Sequence, residues 1–133
     1  MKKIEHIGIA VKNLDRANEL FSKLLGKPNY KTETVESEQV NTSFFRIGET
    51  KIELVATSDQ NNGLNKFIDK RGEGIHHIAF AVDDIEQEME RLRSQGFRVL
   101  QEEPVKGADN KRVCFLHPKS TNGVLVELCQ EIK

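Results

Sequence analysis

The chain has 133 residues, of which 37% are hydrophobic and 31% are charged, and these values are typical of a single globular domain. The formal net charge is −1 and no stretch concentrates lysine and arginine, so we expect no nucleic-acid partner. No apolar run approaches the roughly 20 residues that a membrane-spanning helix needs, and the run at 7–11 is too short for a signal peptide. We therefore expect a cytoplasmic protein without a membrane partner.

The first predicted strand is repeated later in the chain. Residues 4–14 read IEHIGIAVKNL and residues 75–85 read IHHIAFAVDDI, so that His6 corresponds to His77 at an offset of 71 residues. Apolar residues of both segments fall at the same positions. An internal repeat of this kind predicts two related structural modules.

Each repeated strand leads into a helical pattern of apolar residues. The first pattern runs from Leu14 to Leu25 and ends at Gly26, and the second begins at Ile85 and ends at Gly96. Side chains suited to capping a helix N-terminus precede both helices at equivalent positions, namely Asn13 and Asp84.

Strand-like runs follow each helix. They cover 30–35, 42–47 and 51–55 in the first half, and 98–101, 112–116 and 124–129 in the second half. The segment that joins the halves carries turn residues and a short helix whose apolar residues are Leu64, Phe67 and Ile68.

Each half of the chain therefore reads β-α-β-β-β. Module 1 covers about 1–56, the linker about 57–74 and module 2 about 75–133. Because one short repeat cannot bury its own apolar face, we expect the two modules to pair. The predicted fold is α+β, with two paired β-α-β-β-β modules that form a curved mixed sheet around a metal-binding cleft, all within one domain.

Strand alternation indicates which side chains share a face of the repeated strands. His6 shares its face with the small residues Gly8 and Ala10, and in the second copy His77 shares its face with two alanines. The bulky apolar residues point to the other side, where they can pack against the helices. Small residues beside a histidine leave space in front of the ring, which is typical of a ligand cavity.

The last strand of each half adds a carboxylate to this face. Glu53 and Glu127 alternate with apolar neighbours and point away from the packed layer. An ionised carboxylate in an enclosed cleft is costly unless a positive group compensates its charge. The set His6, Glu53, His77 and Glu127 therefore predicts a site for one divalent metal ion. Two imidazoles and two carboxylates suit Co²⁺, Mn²⁺, Ni²⁺, Zn²⁺ or Fe²⁺.

The other two histidines are given no role in this site. His76 faces opposite to His77 by strand alternation, so we interpret it as an ordinary strand residue. His117 lies in a Leu-His-Pro-Lys segment and is interpreted as a turn residue. Both cysteines, Cys114 and Cys129, lie in apolar runs, and we interpret them as buried reduced thiols rather than as a disulfide.

Several segments resemble a known family. The paired modules are similar to the vicinal oxygen chelate superfamily, which includes glyoxalase I, extradiol dioxygenases and antibiotic-binding resistance proteins, and the match to its methylmalonyl-CoA epimerase family covers nearly the whole chain. The segments that carry the resemblance are HIGIAV at 6–11, GETKIEL at 48–54, GEGIHHIAF at 72–80, FLHPK at 115–119 and GVLVEL at 123–128.

The resemblance implies that His6, His77 and Glu127 are metal ligands, that Glu53 takes the fourth ligand position, and that Glu127 also transfers a proton. The implied reaction interconverts the two epimers of methylmalonyl-CoA by removal and return of the C2 proton through a metal-stabilised enolate. Co²⁺ is the favoured ion, the substrate is an acyl-CoA, and the protein is expected to be a homodimer. Some members of the family carry a second glutamate where this chain has Ser43, so the second proton carrier is left open.

Three other functions remain open on the sequence. A glyoxalase I-like lactoylglutathione lyase uses two histidines and two glutamates as well, whereas a dioxygenase more often holds Fe²⁺ through two histidines and one carboxylate. A non-catalytic relative would bind a small molecule without a metal. Basic residues that either meet the CoA phosphates or face solvent are Lys106, Lys111, Arg112 and Lys119.

Overall fold

The computed structural model describes residues 1–36 and 38–133, which form eight β-strands, three α-helices and one short 3-10 helix. The strands are β1 (Lys3–Ala10), β2 (Lys31–Val35), β3 (Val40–Ile47), β4 (Thr50–Ala56), β5 (Gly74–Ala81), β6 (Val105–Gly107), β7 (Lys111–Leu116) and β8 (Val126–Glu131). The helices are α1 (Leu14–Leu25), α2 (Gly63–Arg71) and α3 (Ile85–Ser94), and the 3-10 helix covers Pro118–Thr121.

Tertiary contacts divide the described residues into two compact units. The terminal unit consists of Met1–His6 and His77–Lys133, and the central unit consists of Ile7–His76. Each unit has its own apolar core.

The central unit is organised around helix α1. The helix begins where the Asn13 side chain accepts a hydrogen bond from Arg16 N at 3.0 Å, and it ends at Gly26, whose φ of 75° is readily adopted only by glycine. Its inner face packs on β3 and β4, with Ala17 against the fully buried Phe45 and Leu54. The predicted limits and N-cap of this helix are confirmed.

The strands of the central unit pair antiparallel from β2 to β3 and from β3 to β4. Val11 N, just after β1, donates to Val55 O of β4 at 2.9 Å. Helix α2 covers a second cluster in which Leu64 and Ile68 pack with Ala10 and Val55. The predicted short helix between the two halves is therefore present, with two of its three apolar residues in the core.

The terminal unit contains the strand order β5-β8-β7-β6. Strand β8 pairs parallel to β5 and antiparallel to β7, so the pairing is mixed. Helix α3 packs Ile85, Met89 and Leu92 against apolar residues of β7 and β8 such as Leu116 and Leu128. This core explains why apolar residues recur at helical spacing in α3 and alternate in the two strands.

One predicted strand is wrong. Residues 98–101 form only an isolated bridge, Val99 to Leu116, and the short strand of this region lies later, at Val105–Gly107. The interruption coincides with Glu102 and Glu103 followed by Pro104, which has no N–H group for a strand ladder. Pairing with β7 resumes only after this proline.

The predicted α+β class is confirmed. The first half runs β1-α1-β2-β3-β4 and the second runs β5-α3-β6-β7-β8, so both halves have the expected β-α-β-β-β order. The mixed pairing around β8 agrees with the predicted mixed sheet. The assignment of the whole chain to one domain stays a prediction.

The N-cap of α3 provides a test of local stability. Asp84 accepts a hydrogen bond from Gln87 N at 3.1 Å, and we expect Asp84→Ala to lower the free energy of unfolding by about 1 kcal/mol. The matched control is Asp83→Ala, because the Asp83 side chain is 80% exposed and forms an ion pair with the exposed Lys2 side chain, a contact of little net stability. Urea denaturation of both variants measures the difference. Equal unfolding free energies for the two variants would contradict the capping role.

Candidate metal centre

Strand register positions two of the candidate ligands in the terminal unit. In β5, His77 and Ala79 lie two residues apart and share one face. Glu127 of β8 is directly opposite Ala79 in the parallel pair and opposite Phe115 in the antiparallel pair with β7. Glu127 is therefore a diagonal neighbour of His77, and the Phe115 ring packs edge-on against His77 with centroids 6.0 Å apart.

Three candidate ligands converge on one point. Nε2 of His6 lies 3.0 Å from Nε2 of His77. Oε1 of Glu127 lies 3.5 Å from Nε2 of His6 and 3.3 Å from Nε2 of His77. These three donor atoms thus form a compact triangle, which we call the His-His-Glu triad (His6, His77 and Glu127).

The dimensions of the His-His-Glu triad fit a transition-metal ion. An ion at about 2.1 Å from nitrogen and oxygen donors holds adjacent donors about 3.0 Å apart in an octahedron and about 3.4 Å apart in a tetrahedron. Two of the three donor separations, 3.0 and 3.3 Å, fall in that range, and the third, 3.5 Å, exceeds it by about 0.1 Å. Imidazole nitrogen and carboxylate oxygen are suitable ligands for Co²⁺, Mn²⁺, Ni²⁺ and Zn²⁺. Three protein donors also leave coordination positions for a further ligand and for substrate oxygens.

The triad is almost completely removed from solvent. His6 is 5%, His77 8% and Glu127 6% exposed. A carboxylate and two imidazoles gathered in such a place must compensate one another or bind a cation. Oε1 of Glu127 meets both rings, at 3.5 Å from Nε2 of His6 and 3.3 Å from Nε2 of His77.

A second carboxylate contacts the triad from the side of His6. Oε1 of Glu5 lies 2.8 Å from Nδ1 of His6, and Glu5 is 4% exposed. Sequence analysis missed this residue because alternation along β1 assigns Glu5 and His6 to opposite faces. The available signal was an acidic residue directly before the first histidine of the repeat, in a strand whose other members are mostly apolar.

Glu53, the predicted fourth ligand, belongs to the central unit. It lies in β4 opposite Phe44 of β3 and is 4% exposed. A carboxylate as deeply buried as this needs polar or positive partners. Its assignment to the metal ion stays a prediction.

Ser43 also lies in the central unit, in the interior of β3. Its side chain is completely buried, and its hydroxyl donates a hydrogen bond to Oδ1 of Asn18 on α1. This contact ties the strand to the helix that covers it. The serine is therefore held by a neutral amide.

His76 and His117 have structural surroundings. The His76 ring packs edge-on against Phe67 with centroids 4.9 Å apart, and burial lowers the pKa of His76 below its usual value. His117 precedes the 3-10 helix, where its Nδ1 accepts a hydrogen bond from Lys119 N at 3.0 Å. The predicted turn role of His117 is confirmed.

The two cysteines are free and buried, as predicted. Burial, aided by the negative charge of Glu127, raises the pKa of the Cys114 thiol to about 11. The thiol of Cys114 is therefore protonated at neutral pH and acts as a small apolar group of the core.

Two of the four basic residues predicted as possible phosphate contacts are engaged in ion pairs. Lys111 lies 3.5 Å from Glu131, and Arg112 pairs with Glu86 of α3. Among the described residues no helix has the length and apolar character required to cross a bilayer.

Comparison with known proteins gives a consistent result. The family model of the Glyoxalase/Bleomycin resistance protein/Dioxygenase superfamily matches residues 5–115. An ethylmalonyl-CoA/methylmalonyl-CoA epimerase of Cereibacter sphaeroides is 38% identical over 96% of this chain and 97% of its own length. An uncharacterized protein of Bacillus subtilis is 37% identical over 98% of this chain and 93% of its own length.

Solved structures agree with the sequence matches. A variant of the Streptomyces coelicolor methylmalonyl-CoA epimerase, solved in complex with 2-nitronate-propionyl-CoA, superimposes with a TM-score of 0.95 at 34% identity, over 100% of this chain and 99% of that one. Identity of this size over whole chains, together with near-complete superposition, means that the likeness includes both sequence and fold.

Proposed function

Because this chain belongs to the Glyoxalase/Bleomycin resistance protein/Dioxygenase superfamily, and within it to the family of methylmalonyl-CoA epimerases, we propose that it interconverts (R)- and (S)-methylmalonyl-CoA. The observation that carries the proposal is the His-His-Glu triad, whose donor spacing fits a divalent ion in a family that acts on acyl-CoA. The reaction removes the proton at C2 and returns a proton to the opposite face.

The chemistry of the substrate explains why a metal site is required. The C2 proton lies between a thioester and a free carboxylate, and the negative charge of that carboxylate opposes formation of a second, enolate charge. A divalent ion held by the triad would supply Lewis-acid stabilisation of this charge, which is worth several kcal/mol.

The residues of the triad have separate tasks. The rings of His6 and His77 would hold the ion through their Nε2 lone pairs, and Oε1 of Glu127 faces the same point. A carboxylate has two oxygens, so Glu127 can face the ion through Oε1 and accept the C2 proton through Oε2. Proton transfer by a positioned carboxylate contributes about 10²–10⁴-fold to rates of this type.

Further parts of the site belong to the same proposal. Glu53 serves as the fourth ligand, and Co²⁺ is the favoured ion, with Mn²⁺, Ni²⁺ and Zn²⁺ as alternatives. We also propose a cytoplasmic homodimer. Ser43 is not assigned as the second proton carrier, because a neutral hydroxyl held by Asn18 is a poor base toward carbon.

The decisive experiment follows the C2 hydrogen. Metal-loaded protein in D₂O is expected to exchange the C2 hydrogen of methylmalonyl-CoA while the two epimers interconvert, and proton NMR measures both. Metal-free protein is the control, and its C2 exchange and epimer interconversion are expected to be slower. Turnover of the methylglyoxal–glutathione adduct without C2 exchange would establish a lactoylglutathione lyase instead, and ligand binding without turnover of either substrate would establish a non-catalytic binding protein.

A further inference from the structure

The carboxylate of Glu5 is in direct contact with a predicted metal ligand but is outside the predicted ligand set. Its Oε1 lies 2.8 Å from Nδ1 of His6, and both side chains are buried, at 5% and 6% exposure. Consecutive residues of a strand normally point to opposite faces. The Glu5 side chain instead turns back to the ring of its neighbour.

The two ring nitrogens of His6 face different partners. Nδ1, which is bonded to Cγ and so lies near the backbone, meets Glu5. Nε2, on the far side of the ring, meets His77 and Glu127. A neutral imidazole carries its hydrogen on one nitrogen and a lone pair on the other, so the partner at Nδ1 decides which nitrogen can bind a metal ion.

We propose that Glu5 is a positioning residue that accepts a hydrogen bond from Nδ1–H of His6 and thereby holds the Nε2 lone pair and the ring plane toward the triad. The inference rests on the proposed function only as far as the triad binds a metal ion. A carboxylate that orients a ligating histidine raises metal affinity, and its loss typically costs about 10–100-fold in affinity.

The surroundings of Glu5 favour this role over a second metal site. Cys129 lies close enough to Glu5 and His6 for the three residues to form a possible ligand cluster. The thiol of Cys129, however, donates to the carbonyl oxygen of Phe80 at 3.6 Å. Nδ1 of His6 already has a carboxylate oxygen at hydrogen-bond distance, which leaves the Nε2 side as the metal-binding side.

The test measures Co²⁺ affinity and the proton position on His6. We expect Glu5→Ala to weaken Co²⁺ binding about 10–100-fold. The Co²⁺ affinity of Glu5→Gln is expected to lie between those of Glu5→Ala and wild type, because its amide oxygen accepts the hydrogen bond without a charge. The matched control is Glu131→Gln, whose side chain lines the same 430 Å³ cavity as Glu5 but is 72% exposed, and its Co²⁺ affinity is expected to equal that of wild type.

Nitrogen-15 NMR of the imidazoles supplies a readout that does not depend on activity. In metal-free wild-type protein Nδ1 of His6 is expected to carry a hydrogen, and in Glu5→Ala this preference is expected to disappear. A bare Nδ1 in wild-type protein would overturn the proposal without any variant. Far-UV circular dichroism of the metal-free variants detects misfolding. If Glu5→Ala is misfolded, the Co²⁺ affinity of Glu5→Gln and the nitrogen-15 spectrum of wild-type protein test the proposal instead.

The outcomes separate this inference from the proposed reaction. Both Glu5 variants could bind Co²⁺ with wild-type affinity while the wild-type protein exchanges the C2 hydrogen. That result would reject the role of Glu5 and leave the epimerase proposal intact. Weakened Co²⁺ binding in the variants, in a protein that never exchanges C2, would support Glu5 and reject the reaction. A wild-type protein that binds no Co²⁺ would overturn the role of Glu5.

Discussion

Replacing Glu127 with glutamine is expected to slow C2 exchange of methylmalonyl-CoA by about 10²–10⁴-fold, the contribution typical of a general base. The amide preserves the size of the side chain in β8 but cannot accept the C2 proton. Substrate affinity should change far less, because the thioester and CoA contacts are retained. Proton NMR in D₂O gives the exchange rate, and isothermal titration with methylmalonyl-CoA gives the affinity.

Two control variants and a metal assay identify the cause of any loss. Glu131→Gln makes the same chemical change at the exposed end of β8 and is expected to exchange at the wild-type rate. Ser43→Ala is expected to have a small effect, because a serine is a poor base toward carbon. If Glu127→Gln keeps both its metal and its exchange rate, Glu127 is not the proton carrier. If Glu127→Gln loses both metal binding and C2 exchange, the loss of exchange is explained by the role of Glu127 as a metal ligand.

Replacing His77 with alanine is expected to reduce metal binding by more than about 100-fold, whereas His76→Ala should bind metal as wild type does. Loss of a hydrogen-bonding partner behind a ligand already costs about 10–100-fold, and removal of a ligand costs more. The structure motivates the contrast, because Nε2 of His77 lies 3.0 Å from Nε2 of His6 while the His76 ring packs on Phe67.

Elemental analysis and Co²⁺ titration measure this prediction. Wild-type protein is expected to hold about one ion per chain through the three donors of the triad. His76→Ala is the matched control, since it removes a neighbouring imidazole that packs on Phe67, a contact worth about 1 kcal/mol of stability. Metal binding that survives in His77→Ala but disappears in His76→Ala would reject the triad.

Local patterns in the sequence determined where the helices lie and which two histidines occupy equivalent positions in the repeat. Helix α1 follows from the spacing of its apolar residues, a capping side chain at Asn13 and a glycine at position 26, all of which act within a few residues of the element they define. The repeat at an offset of 71 residues marked His6 and His77 as equivalent strand positions. Such signals depend on neighbouring residues, so they can be read without knowledge of the fold.

Tertiary structure decided which side chains meet. The parallel register of β5 and β8 places Ala79 opposite Glu127, and this register brings the carboxylate to His77. Tertiary structure also decided that residues 98–101 form one bridge to β7 and that pairing resumes after Pro104. A strand exists only where another strand pairs with its backbone hydrogen-bonding groups. The Glu5 contact with His6 has the same origin: alternation fixes the direction of Cβ, whereas the position of a long side chain depends on the groups packed around it.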